Sequence, residues 1–309
     1  MNAKSAYKPV RKAVFPVAGM GTRFLPATKV MPKEMLPLVD RPLIQHAFEE
    51  AREAGIEEFI FVTGRSKEML EEHFDYQPEL EQALEARGKH DMLRKVRTSE
   101  MPEGKLYLTR QARALGLGHA IWCARKLVGN EPFAIMLPDD VVLSRRGCLS
   151  QMVEAYNETG GNLVAVMDVP RAETNKYGIL DVEKDDGKIA VIKGLVEKPA
   201  PEEAPSTLSI IGRYILQPEI FEKLAAFEKG AGGEIQLTDA MAKLLGSQPF
   251  HGLRFEGRRY DCGSRLGFIE ANIAFSMRDP EIGAQVQNIV RRFADELANS
   301  EEVPLEARR

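Results

Sequence analysis

Along the first half of the chain, short strand-like apolar runs alternate with helical patterns. That alternation is the mark of an α/β protein built on a parallel sheet. Residues 14–18 read as a first strand, 58–63 (EFIFVT) as a second, 105–110 as a third and 133–137 as a strongly buried fourth. Between them Leu43, Ile44, Ala47, Phe48 and Ala51 recur at helical spacing with Glu and Arg in the gaps, and 66–74 and 119–127 predict further helices. Residues 78–90 are polar and helix-prone, as expected of a surface insertion.

The second half changes character. Residues 162–169, 177–183, 188–197 and 209–216 are strand-like, with Asp185-Asp186-Gly187 supplying turn chemistry between two of them. This β-rich middle is expected to extend the sheet or to form a small subdomain. Helices resume at 218–228 and 234–245, and Leu266, Ile269, Ile273 and Met277 form a clean helical stripe. No repeat and no low-complexity linker divides the chain, so the expectation is one domain over residues 8–295 and a frayed tail over 296–309, whose last ten residues are charged.

Composition excludes several classes. Of 309 residues, 42 are Lys or Arg and 46 are Asp or Glu, a formal net charge of -4. Bulk nucleic-acid binding needs a dense basic face, so nucleic acid is not an expected partner. No run approaches the ~18 apolar residues of a membrane span, so no membrane is expected either. Basic residues (Lys4, Lys8, Arg11, Lys12) precede the apolar stretch 13–21. Pro16, Gly19 and Gly21 break it and no small-residue cleavage site follows, which argues against a secretory signal. Three cysteines, Cys123, Cys148 and Cys262, with no paired spacing, suit a reducing, cytoplasmic setting and speak against a zinc site.

The chemistry concentrates after the first strand, in Val17-Ala18-Gly19-Met20-Gly21-Thr22-Arg23 and the following Met31-Pro32-Lys33-Glu34-Met35-Leu36-Pro37. Two glycines there let backbone approach a ligand and aim N–H groups at an anion; a tight strand-to-loop turn would use the same residues. Arg23 adds a planar fork suited to phosphate oxygens and Lys33 a mobile point charge, while prolines 26, 32 and 37 stiffen the connection. Phe24 stands where a dinucleotide fingerprint needs its third glycine, and no Gly-Lys-Ser/Thr follows for a Walker loop. Met20, Met31 and Met35 read as packing residues. Leu137-Pro138-Asp139-Asp140 closes the fourth strand with two carboxylates, suited to Mg²⁺ or, equally, to a turn or helix cap. Gln111 carries an amide able to read a base edge, and Gly116 and Gly118 would let a planar base lie on the backbone. His119 invites a nucleophile reading, but no second base is paired with it, which favours a helix-start residue.

Segment 15–43, FPVAGMGTRFLPATKVMPKEMLPLVDRPL, closely resembles the signature of the sugar-phosphate nucleotidyltransferases, and PATKVMPKEMLPLVD resembles their uridylyl-transferring branch. The likeness continues in order through RQARALGLGHA (110–120), LPDD (137–140), YG (177–178), VEKP (196–199), GGEIQLTDA (232–240) and YDCGSRLGF (260–268). It implies a Rossmann-like, mostly parallel central sheet flanked by helices, with a nucleotide-binding part mainly over 10–145 and a β-rich sugar-binding part mainly over 160–265. It also implies transfer of a uridylyl group from UTP to glucose 1-phosphate with Mg²⁺, and a homo-oligomer, tetramer or dimer. Residue by residue, the resemblance places Arg23, Lys33 and Lys198 in catalysis. It sets Ala18, Gly19, Gly21, Gln111, Gly116 and Gly118 on the nucleotide, and Gly178, Glu197 and Lys198 on the sugar phosphate. Asp139, with Asp261 second, falls on the metal. Glu234 and Asp239 are further possible sugar-side contacts. Adjacent side chains of a strand face opposite ways, so Glu197 and Lys198 can serve one ligand only through a bend at Pro199 or a bulge. A thymidylyl or guanylyl transferase, or an inactive sugar-nucleotide-binding regulator, are the alternative readings.

Overall fold

The computed structural model describes residues 7–299, and within them a nine-stranded sheet runs through both halves of the chain. β1 (Lys12–Pro16) leads into three single 3-10 turns (Thr22–Phe24, Ala27–Lys29 and Lys33–Met35), then a two-residue ribbon, β2 (Pro37–Leu38) and β3 (Arg41–Pro42), and α1 (Leu43–Glu53). β4 (Glu58–Thr63) is followed by α2 (Met69–Glu72), α3 (Pro78–Ala86), α4 (His90–Arg97), β5 (Leu106–Arg110), α5 (Leu117–Cys123), α6 (Arg125–Val128), β6 (Phe133–Met136) and β7 (Asp140–Leu143). The second half adds α7 (Cys148–Thr159), β8 (Asn162–Asp168), β9 (Gly178–Asp185), β10 (Ile189–Glu197), β11 (Leu208–Leu216), α8 (Ile220–Leu224) and α9 (Leu237–Ala242). β12 (Phe250–Arg254), β13 (Arg258–Asp261), α10 (Arg265–Ser276) and α11 (Gly283–Asn299) complete it.

The sheet order is β5-β4-β1-β6-β11-β8-β12-β10-β9. The first four strands are parallel, as the sequence predicts. Beyond them the sheet is mixed: β11 runs antiparallel to β6 and β8, β12 parallel to β8, and β10 antiparallel to both β12 and β9. Helical crossovers make parallel neighbours, whereas a tight turn can only reverse the chain. The Asp185-Asp186-Gly187 turn does so between β9 and β10, with the Asp186 carboxylate accepting from the Lys188 and Ile189 amides.

Alternation along the strands feeds two apolar layers. Val14, Ile60, Val62 and Ile135 face one side, with Ala120, Leu224 and Met241 from α5, α8 and α9. Phe15, Phe61, Ala134 and Met136 face the other, against Phe48 of α1 and Met152 of α7. Burial on both faces explains why these strands read as continuous apolar runs. The helix-prone 78–90 segment forms α3 and then, after a left-handed turn at Gly88, enters α4, which packs against α3 and runs on to Arg97. α11 includes residues 296–299, and the remainder of the tail expected over 296–309, residues 300–309, lies outside the described residues. Among the described residues no helix is long and apolar enough to cross a membrane.

Two features of this topology build the site. The parallel strands all end on one edge, placing Val17, Thr63, Arg110 and Met136 side by side, the place where open α/β sheets bind ligands. The β9–β10 ribbon carries register shifts at Val191, Ile192 and Gly194, and Ile179 also pairs with Ser209 of β11. Such shifts bend a ribbon, and here its Glu197 end turns back toward β11.

Candidate active site

The loop after β1 is shaped by Gly21, whose left-handed backbone (φ 67°) opens the first 3-10 turn. A Cβ at Gly21 would stand 3.0 Å from Cβ of Lys33, and the Thr28 hydroxyl donates to the Gly21 carbonyl at 2.7 Å, so the loop closes on itself. Met31 and Met35 pack beneath it as expected. Met20 does not: it is 74% exposed, because the turn at Gly21 leaves it on the solvent side of the loop.

Lys33 and Asp139 meet. The Lys33 ammonium donates to Asp139 Oδ2 at 2.5 Å, with about a quarter of each side chain exposed. Burial works against both charges. The Lys33 ammonium more than offsets it for Asp139, holding that carboxyl below its ordinary value, and Asp139 with Glu34 raises Lys33 in turn. Arg23 joins them by donating to the Gly263 carbonyl at 3.2 Å. Gly263 marks where the charged groups converge. A Cβ there would lie 2.8 Å from Asp139 Oδ2, 3.0 Å from Asp261 Oδ1 and 3.4 Å from an Arg23 nitrogen. Two carboxylates flanking one point, with no third His, Cys, Asp or Glu grouped with them among the described residues, suit a hard cation that takes the rest of its shell from phosphate and water.

Asp140 does a different job. Its Oδ2 accepts from the Gly212 amide at 2.6 Å and its Oδ1 from Arg259 Nε at 2.5 Å, while Arg259 also donates to the Tyr177 hydroxyl at 3.2 Å. Arg213, fully buried, donates to both Glu50 oxygens and to the Leu137 and Gly212 carbonyls. This network clamps the 137–140 turn, and β7 pairing with β13 sets Asp140 opposite Asp261. The ribbon of β7 and β13, with Arg259, Arg213 and Glu50, escapes the sequence reading. The apolar pair Val141-Val142 after the two aspartates is the one signal that could have found it.

On the β5 side, Gln111 follows its strand with its amide nitrogen bonded to Thr63, and Ala18 packs against Gly64. The side-chain amide of Gln111 donates to the Gly116 carbonyl at 3.0 Å. Gly116 and Gly118 have a packing reason to be glycine: a Cβ on either would stand 2.8 Å from the Ile235 carbonyl oxygen. Segment 234–236 fills that side, with Ile235 exchanging backbone bonds with Leu115 and Gly118. His119 lies inside α5, stacked near Trp122 and tilted against Phe227, and no carboxylate or second imidazole among the described residues hydrogen-bonds its ring.

On the β10 side, the bend falls at Lys198 itself rather than at Pro199. Lys198 adopts φ 48°, a left-handed conformation uncommon outside glycine, and its amide bonds the Tyr177 carbonyl. That turn brings its ammonium to 3.4 Å from the Glu197 carboxylate, so both side chains serve one face. Glu197 sits opposite Gly178 in register, and a Cβ at Gly178 would lie 3.3 Å from Glu197 Oε2 and 3.0 Å from Thr238 Oγ1. Asp239, raised by burial and by Glu197, stands beside them, whereas Glu234 is exposed. The 232–240 segment therefore touches both the Gly116 side and the Gly178 side.

The nucleotidyl transferase family profile matches residues 12–276. The chain is 60% identical over 259 residues to a UTP–glucose-1-phosphate uridylyltransferase of Komagataeibacter xylinus, covering 84% of this chain and 91% of that protein. It is 50% identical over 296 residues to one of Bacillus subtilis strain 168, covering 96% and 100%. In three dimensions it is similar to a UTP-bound UGPase from Acinetobacter baumannii (TM-score 0.85, 40% identity, 91% of this chain and 99% of that one). It is also similar to a UDP-glucose pyrophosphorylase complexed with UDP-glucose (TM-score 0.78, 44% identity, 87% and 100%).

Proposed function

The chain belongs to the nucleotidyl transferase family, and from that membership we infer that it transfers the uridylyl group of UTP to glucose 1-phosphate, giving UDP-glucose and pyrophosphate. The observation that carries this reading is 50% identity along the whole length of a uridylyltransferase. The thymidylyl and guanylyl alternatives are not favoured: relatives at 46–60% identity carry the uridylyl name, and a thymidylyltransferase neighbour at 21% shares the fold alone. A coupled assay of pyrophosphate release tests it. Release with UTP and glucose 1-phosphate, and far less with TTP or GTP, is expected; no release with UTP would overturn it.

The phosphate of glucose 1-phosphate has its second pKa near ~6, so at neutral pH it is already a dianion and needs no general base. Its oxygen attacks the α-phosphorus in line as the bond to pyrophosphate breaks. Arg23 and Lys33, on the loop after β1, hold the triphosphate against that charge build-up. Gln111, with the backbone at Ala18, Gly19, Gly21, Gly116 and Gly118, carries the nucleoside. Lys198 orients the attacking phosphate, Glu197 accepts from sugar hydroxyls, and the Gly178 amide donates to a sugar oxygen. A divalent cation is expected of this family; we assign Mg²⁺, with Asp139 and Asp261 to hold it, where it would neutralise phosphate charge.

One sheet shared by both halves supports a single domain over 8–295. Unpaired cysteines support a cytoplasmic setting. Homo-oligomerisation is supported by two exposed apolar stripes, Leu266, Ile269 and Ile273 on α10 and Ile289, Phe293 and Leu297 on α11. Light scattering should return a dimer or tetramer of the 34.5 kDa chain, and Ile269→Glu with Phe293→Glu should reduce its mass. A monomer at micromolar concentration would refute the oligomer.

A further inference from the structure

The Gln111 side chain has two amide hydrogens, and the protein uses both. One goes to the Gly116 carbonyl at 3.0 Å and the other to His119 Nδ1 at 3.1 Å. The amide's orientation follows from the first contact, since the flipped amide would set its oxygen against the Gly116 carbonyl oxygen. The second contact demands a lone pair on Nδ1, hence a neutral His119 carrying its proton on Nε2. The ring is held for that purpose. Its centroid lies 6.1 Å from Trp122 and 5.7 Å from Phe227, and Arg125 stacks on Trp122 at 3.5 Å. Burial also lowers its pKa, which favours the neutral form. No donor among the described residues takes Gln111 Oε1. What Gln111 leaves for a ligand is a lone acceptor.

We propose that His119 is a positioning residue for nucleobase choice: by accepting the second Gln111 hydrogen it leaves only an acceptor toward the base, which selects a pyrimidine bearing an N3–H over cytosine. Uracil presents a donor at N3. Cytosine presents a lone pair there, which would face Oε1 unpaired. If His119 loses its acceptor, the Gln111 amide is held by one bond instead of two and can turn an N–H toward cytosine. The proposal rests on the reading that Gln111 faces the base.

The test compares kcat/KM for UTP and CTP, at saturating glucose 1-phosphate, in five proteins: wild type, His119→Phe, His119→Leu, His119→Asn and Gln111→Ala. His119→Phe keeps a ring for Trp122 and Phe227 but no acceptor. It should shrink the UTP preference roughly five- to tenfold through nucleotide KM, with the glucose 1-phosphate KM unchanged. His119→Asn, whose Oδ1 can stand in for Nδ1, should restore the preference, and His119→Leu should repeat the Phe result if the phenyl ring is not accommodated. An unchanged ratio in His119→Phe and His119→Leu, with a collapsed ratio in Gln111→Ala, would overturn the role of His119 alone. An unchanged ratio in Gln111→Ala as well would overturn the placement of Gln111 at the base.

Discussion

Asp139→Asn should nearly abolish turnover and leave the fold standing, whereas Asp140→Ala should cost the fold. The two carboxylates are neighbours in sequence and opposite in surroundings. Asp139 faces a partly exposed space shared with Asp261 and Arg23, and among the described residues its side chain is hydrogen-bonded by the Lys33 ammonium. Losing such an ion pair costs on the order of 1 kcal/mol of stability or less. Removing the charge also removes the ligand on which we place the cation, so metal binding seen by calorimetry in the presence of UTP should vanish together with activity. Asp140 instead sits at about a tenth exposure against Arg259 and holds the Gly212 amide. Deleting it strands a largely buried guanidinium, a loss of about 3–5 kcal/mol, readable as a lower urea midpoint. Full activity in Asp139→Asn, or activity that survives EDTA, would remove Asp139 from the metal. An unshifted midpoint in Asp140→Ala would remove Asp140 from the clamp.

The second large effect separates the two lysines. Lys33 lies on the glycine- and proline-bounded loop after β1, and Lys198 at the left-handed turn after β10. If each serves a different phosphate, losing one charge-assisted contact should cost about 1.5–3 kcal/mol for that substrate only, roughly ten- to over a hundredfold. Lys33→Ala should weaken UTP binding or turnover and spare glucose 1-phosphate. Because Lys33 also occupies Asp139 in the free protein, this variant should bind divalent cation at least as well as wild type without nucleotide. Lys198→Ala should raise the requirement for glucose 1-phosphate and spare UTP. Calorimetry with each ligand, alongside steady-state kinetics, reads the split. The reverse pattern, or equal losses for both ligands in both variants, would show that the two phosphates are wrongly placed.

Much of this protein could be read before folding was considered. The parallel half of the sheet followed from runs such as 58–63 and 133–137, because strands buried on both faces must be apolar throughout. The loop at 17–37 announced itself because a left-handed turn at Gly21 and closely spaced Arg23 and Lys33 are local facts of the chain. Local chemistry was equally legible in the Asp185-Asp186-Gly187 turn.

Only the tertiary structure could decide what depends on residues far apart in sequence. That Asp140 is clamped while Asp139 pairs with Lys33 at the edge of a partly exposed space comes from Arg259 and Gly212, 119 and 72 residues from Asp140. That Gly116 and Gly118 must be glycine comes from Ile235, and the seat of Gln111's second hydrogen comes from one helix turn into α5. The bend that lets Glu197 and Lys198 act together was required by strand alternation, yet its place at Lys198 was set by the Tyr177 carbonyl that holds the turn. Periodicity and turn residues report the conformation of a few neighbouring residues. Long-range pairing, here a bent ribbon and a buried ionic clamp, chooses among side chains that look equivalent along the chain, because desolvation and partnership exist only once the distant partner has arrived.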